Sequence, residues 1–90
     1  MSDLHVSGVV DRDRCAELKA QLRCAMASTR DLQLWLDDVT AIDAGGVECL
    51  IVAKLSGAEL GVTVRIAAAS YPVRASLSRL RLAGFLGLEG

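Results

Sequence analysis

The chain has 90 residues, of which 52 % are hydrophobic and 23 % charged, with a single Trp, Tyr and Phe. That is enough for one small domain, 1–90, with an aliphatic core, and apolar content this high excludes a disordered chain. Ten basic residues against eleven acidic ones leave a net charge of −1. The basic excess that nucleic-acid binding uses to release counterions is missing, as are aromatic platforms for single strands.

Val47 to Val64 is the most apolar region, but Glu48, Lys54 and Glu59 interrupt it, so no membrane insertion is expected. Met1-Ser2-Asp3-Leu4-His5 has no cationic stretch leading into an apolar run. No secretory signal is therefore expected, and the expected compartment is the cytoplasm. Cys15, Cys24 and Cys49 are odd in number and lack C-x-x-C spacing, which indicates neither a zinc site nor a disulfide framework. Cys15 and Cys24 would lie about 13 Å apart on one helix, too far to bridge. All three are expected to be reduced, buried and inert, and no metal or cofactor is expected.

Leu4–Val10 alternates and is read as a strand that ends at Asp11-Arg12-Asp13, where an aspartate can cap the next helix. That helix, Arg14 to about Ser28, carries an apolar stripe of Cys15, Leu18, Leu22 and Ala25/Met26. Leu32, Leu34 and Leu36 share one face of a second strand, with Gln33, Trp35 and Asp37 on the other. Such alternation suggests a sheet not fully covered on both sides. Val39 to Asp43 leads into Ala44-Gly45-Gly46 and a second helix to Leu60, with Gly61 placed to end it. Val62–Ala67 is a short strand. Ser70-Tyr71-Pro72 opens a third helix with a hydroxyl cap and an early proline, striped by Val73, Leu77 and Leu80 and ended by Gly84. The order β-α-β-α-β-α predicts an α/β fold with a mostly parallel or mixed sheet. Periodicity does not supply the strand order.

Candidates for chemistry are few. His5 has no recognisable nucleophile or orienting acid and reads as an ordinary strand residue. Asp37-Asp38 could hold Mg²⁺, as in a receiver domain, but the chain is too short for one, and turn residues fit better. Ala44-Gly45-Gly46 lacks the lysine of a phosphate-binding loop and the spacing of a dinucleotide fingerprint, so a helix-entry turn is favoured. Arg74, Arg79 and Arg81 read as a solvated helix face. The second helix is different. Val47, Leu50, Ile51, Ala53, Leu55 and Ala58 exceed one stripe, with Cys49 and Val52 apolar on the far side. Such a helix is buried either in the core or by a partner.

In this order and spacing the residues resemble the STAS domain, the fold of bacterial anti-sigma factor antagonists. Ser7-Gly8-Val9-Val10-Asp11 looks like the family's S-G-x-[LV]-D opening. Leu34-x-Leu36-x-x-Val39-Thr40-x-Ile42-Asp43-Ala44-Gly45-Gly46-Val47 looks like L-x-L-x-x-V-x-x-[IV]-D-S-S-G-[LV], and Ala69-Ser70-x-Pro72-Val73 matches the S-P-x-V entry to the last helix. The resemblance spans Leu4 to Phe85 and implies a single small STAS-like domain, pared at both ends, that switches partners by contact. It implies binding to an anti-sigma factor, usually a serine kinase, which frees a sigma factor and so regulates transcription. The implied contacts are Asp43, Ala44, Gly45, Gly46, Val47 and the outer face of the second helix with Val52 and Leu55; Asp11 and Trp35 are secondary.

In that family, phosphate on the first serine of D-S-S-G blocks binding, because a dianion at a close interface repels and must be desolvated. Here the acceptor position is Ala44 and the next is Gly45, so neither can be phosphorylated. Control is then lost, or moved elsewhere, for instance to Thr40 or Cys49. A second role fits the same turn: a STAS subunit docking on the ATPase of an ABC-type lipid transporter, where D-[ST]-A-G also departs from the serine pair. An enzyme is not expected, since no nucleophile–base pair is present. Shortened ends would leave a bare sheet edge, open to homodimerisation or partner strand addition. A bulky residue at Gly46 is expected to weaken partner binding more than folding.

Overall fold

A computed structural model describes residues 2–82 and 84–86. Strand β1 spans Ser2–Val10, and a single 3-10 turn, Arg12–Arg14, leads into helix α1, Cys15–Met26. Strand β2 spans Asp31–Ile42, α2 Ala44–Glu59, β3 Thr63–Ala69 and α3 Tyr71–Arg79. The order β-α-β-α-β-α is as predicted. The three strands form one sheet in the order β1-β2-β3, and both neighbouring pairs are parallel. Parallel neighbours require a crossover connection, and here α1 and α2 supply the two.

One hydrophobic cluster holds the layers together. Val6 and Val10 of β1, Leu32, Leu34 and Leu36 of β2, and Val64 and Ile66 of β3 meet Leu18 and Leu22 of α1, Leu50 and Ala53 of α2, and Val73 and Leu77 of α3. Strand residues of the opposite parity, including Asp3, His5, Ser7, Thr63, Arg65 and Ala67, are exposed. The sheet is therefore covered on one face and largely open on the other, as the alternation in β2 suggested. On the open face His5 stacks on Trp35 at 5.5 Å between ring centroids, and the Trp35 indole N–H donates to Asp3 at 2.9 Å.

Strand β2 runs six residues beyond Leu36, where the alternation stops. The β1–β2 register slips between His5 and Ser7 and again between Gly8 and Val9, each time with an extra residue on β2. Such bulges switch which parity faces the core, so Val39 is buried after Leu36 and a strict period of two breaks down. Asp37 and Asp38 are accordingly exposed strand residues at a bulge, not turn residues.

Helix α3 begins at Ser70 and Pro72 as expected, yet the Ser70 hydroxyl makes no capping bond and is buried without a partner. Proline early in the helix removes one of the N–H groups that a capping hydroxyl accepts from. The helix also stops before Gly84. Leu80 closes it, and Arg81 takes the left-handed conformation at φ 58°, which leaves Leu80 exposed rather than part of the buried stripe. Gly61, at φ 75°, does end α2.

The sheet edges are less bare than expected. The Arg14 guanidinium folds back to donate to the carbonyls of Ser7 and Val9, occupying the C-terminal half of the β1 edge. At the other edge, the Ile66 N–H donates to the Leu86 carbonyl at 3.3 Å. Positions 87–90, where a shortened end was expected to bare an edge, lie outside the described residues, and that expectation with them. Among the described residues, no helix is long and apolar enough to cross a membrane.

Candidate functional site

Two parallel strands end side by side, and each ends in an aspartate. Val10 pairs with Ile42, so Asp11 and Asp43 follow at neighbouring strand ends, and both cap the helical turn that comes next. Asp11 Oδ1 accepts from the Arg14 N–H at 3.1 Å, and Asp43 Oδ1 accepts from the Gly46 N–H at 2.8 Å. The Asp43 N–H donates to the Val10 carbonyl at 3.3 Å, tying the two turns together. Both carboxylates thus satisfy orphan helix donors. Asp43 is exposed and Asp11 half-buried.

The glycines set how closely these turns pack. A Cβ on Gly45 would stand 2.9 Å from Arg12 Cβ, and one on Gly46 would stand 2.3 Å from the Val10 carbonyl oxygen. Gly45, Gly46 and Val47 are all buried. They present no side-chain surface; they hold α2 against the strand ends. Bulk at Gly46 would therefore meet the backbone of β1 and disturb folding itself.

Ala44, Val52 and Leu55 are exposed, the last two at 40 % and 53 %. At 3.6 residues per turn, positions 44, 48, 51, 52 and 55 fall within an arc of roughly 100°. They form one stripe, with Glu48 exposed and Ile51 half-buried among the apolar members. Cys49, on the apolar far side, is buried as expected, at 1 % exposure, because α1 covers that side: its thiol faces the Cys15 carbonyl at 3.9 Å. Helix α2 is thus buried by both the sheet and α1, and the stripe is what remains.

Two shallow grooves flank the start of α2. One, of about 220 Å³, runs to α3 and is bounded by Ala44, Val47, Arg79 and Leu80. The other, of about 200 Å³, runs to α1 and is bounded by Arg12, Cys15, Lys19, Glu48 and Cys49. Glu48 was legible from its spacing to Ala44. Arg79 and Leu80 lie more than thirty residues away in the sequence, and no local pattern points to them. Trp35 does not join the stripe, because it belongs to the open sheet face. Thr40 is exposed near the end of β2. Among the described residues, no group of three or more His, Cys, Asp or Glu side chains could hold a metal ion.

The thiols differ from the expectation of uniform burial: Cys49 is buried, Cys15 half-buried and Cys24 exposed. Burial, reinforced by the neighbouring Cys15 thiol, pushes Cys49 from its ordinary 9.0 up to about 12, against a smaller opposing pull from Lys19. An unfolded chain releases this proton first as the pH rises. The stability carried by the neutral thiol is therefore complete below about pH 9 and lost as the pH climbs towards 12. Urea unfolding measured from neutral pH to about pH 11 should show stability falling more steeply in the natural chain than in Cys49→Ala.

A family profile described as "Mlab, STAS domain" matches residues 2–88. The chain belongs to the STAS-domain family. Among solved structures it is similar to the STAS domain of a SulP transporter from Vibrio cholerae, with a TM-score of 0.73 and 19 % identity, over 96 % of this chain and 67 % of that one. A structure described as Mglu matches with a TM-score of 0.65 and 23 % identity, over 72 % of this chain and 16 % of that one. At these identities the likeness concerns the fold. A comparison with curated proteins found no match. STAS domains are typically protein-interaction modules.

Proposed function

We propose that this chain acts in the cytoplasm by binding, with no reaction of its own, and that it docks an anti-sigma factor of the serine-kinase type and so frees a sigma factor. The observation that carries the reading is the exposed stripe of Ala44, Glu48, Ile51, Val52 and Leu55 on a helix whose other sides are buried. An apolar stripe rimmed by charge suits partner contact, because its burial removes water from Val52 and Leu55 at little desolvation cost. The turn that starts this helix carries no hydroxyl at Ala44 or Gly45, so docking here is not switched by phosphate at the usual position.

A second reading rests on the Asp43-Ala44-Gly45-Gly46 turn, which resembles the D-[ST]-A-G of such subunits: the same stripe docks on the ATPase of an ABC-type lipid transporter. Co-purification from the native cell, with Leu55→Asp as the comparison, separates the two. A serine-kinase anti-sigma factor recovered with the natural chain and lost with Leu55→Asp supports the first reading. An ABC ATPase with that behaviour replaces it with the second. If both chains retain the same proteins, the stripe is not the docking surface.

A further inference from the structure

The fold brings together two thiols that the sequence keeps 34 positions apart. Cys15 opens α1, and its thiol donates to the Gly45 carbonyl at 3.2 Å, one turn before Cys49 on α2. The Cys49 thiol in turn faces the Cys15 carbonyl at 3.9 Å. Gly45 lets the chain around Arg12 approach α2 without an intervening side chain. The groove of about 200 Å³ opens onto both cysteines, beside Arg12, Lys19 and Glu48.

We propose that Cys15 and Cys49 are an oxidisable pair, closed by a low-molecular-weight disulfide such as glutathione disulfide into a bond that ties the start of α1 to α2 beneath the docking stripe. Cys15 reacts first because it is the half-buried thiol of the two, while Cys49 is 1 % exposed, so a tripeptide disulfide reaches Cys15 before the inner thiol. Its thiolate attacks one sulfur of glutathione disulfide, forming a Cys15–glutathione bond and releasing one glutathione. Cys49 then gives up its proton and attacks the Cys15 sulfur, and the second glutathione leaves. Two protein thiols are oxidised, one glutathione disulfide is reduced to two thiols, and the two protein protons end on the two glutathiones. The inner thiol holds its proton tightly, so the second step quickens as the pH rises. The bond requires no docking partner and stands apart from the identity of that partner.

The test uses the full chain with the exposed Cys24 removed as Cys24→Ser, so that exchange through that thiol does not confuse the result. Reduced protein is incubated with glutathione disulfide at mildly alkaline pH, alkylated, digested with trypsin and mapped by mass spectrometry without reduction. Cleavage after Arg14, Lys19, Arg30 and Lys54 places Cys15 and Cys49 on separate peptides, 15–19 and 31–54. The expected product is these two peptides joined, two hydrogens lighter than their sum, with both free thiols lost together. Separate peptides, each carrying its own alkyl or glutathione adduct, overturn the proposal. Adding Cys15→Ser should leave Cys49 without glutathione; rapid adduct formation at Cys49 in that variant would remove Cys15 from its leading role.

Discussion

Gly46→Ala is expected to lose about 3 kcal/mol of folding stability, although alanine is the better helix former. The new methyl would sit 2.3 Å from the Val10 carbonyl oxygen and 2.8 Å from Ile42 Cγ1. The first neighbour is backbone, held in the turn by its bond from the Asp43 N–H, so it cannot rotate away. Relief requires α2 to slide off the strand ends, which also stretches the cap from Asp43 to the Gly46 N–H. A domain of this size has a total stability of about 5–13 kcal/mol, so the loss is a large share of it. Urea denaturation should show it, and the melting midpoint should fall by about 12–20 °C. Gly84→Ala is the matched control: a Cβ there meets nothing within 4 Å, and stability should stay unchanged. Equal behaviour of the two variants would mean that the close approach at Gly46 carries no energetic weight.

Ala44→Glu should do the opposite, leaving the fold intact while removing partner binding. Ala44 is the first residue of α2 and is exposed. A carboxylate in the first helical turn meets the positive end of the helix dipole and adds roughly 0.5 kcal/mol. On the docking stripe, however, it places a charge that a closing partner must strip of water. Where no partner cation answers it, such burial costs about 2–5 kcal/mol, a loss of affinity of about 30-fold or more. Titration calorimetry against the co-purified partner, alongside a melting curve, measures both effects. Unaltered binding with an unaltered melt would move the interface away from Ala44. Ala44→Ser refines the assignment, because a serine kinase should phosphorylate it and an ABC ATPase should not.

Much of the fold was legible because local patterns agreed with it. Leu32, Leu34 and Leu36 announced a strand covered on one face, Leu18 and Leu22 a helix on a sheet, and Asp11-Arg12-Asp13 a capping aspartate at a strand end. Leu80 and the Ser70 hydroxyl were misread because a neighbouring constraint prevailed, the early close of α3 in one case and Pro72 in the other. The continuation of β2 past Leu36 was illegible for another reason: bulges break the alternation that identifies a strand. At the candidate site the motif was visible, but its division of labour was not. Gly45, Gly46 and Val47 looked like contacts in one dimension, and they are buried supports in three.

Composition and alternation by themselves determined a small α/β domain, and the motifs' resemblance to the STAS family placed Ala44, which carries no hydroxyl, at that family's usual acceptor position. Those features depend on residue identity and on neighbours within one or two turns, which the sequence states directly. Tertiary structure alone decided that the strands are all parallel in the order β1-β2-β3, that α1 hides Cys49, and that Val52 and Leu55 remain at the surface. Helix α2 is apolar on several sides, and periodicity cannot say which of them a neighbouring helix will cover. That depends on where the crossovers set α1 and α3, and so on contacts between residues thirty or more positions apart. The same packing placed Cys15 against Cys49, a juxtaposition that no spacing in the sequence records.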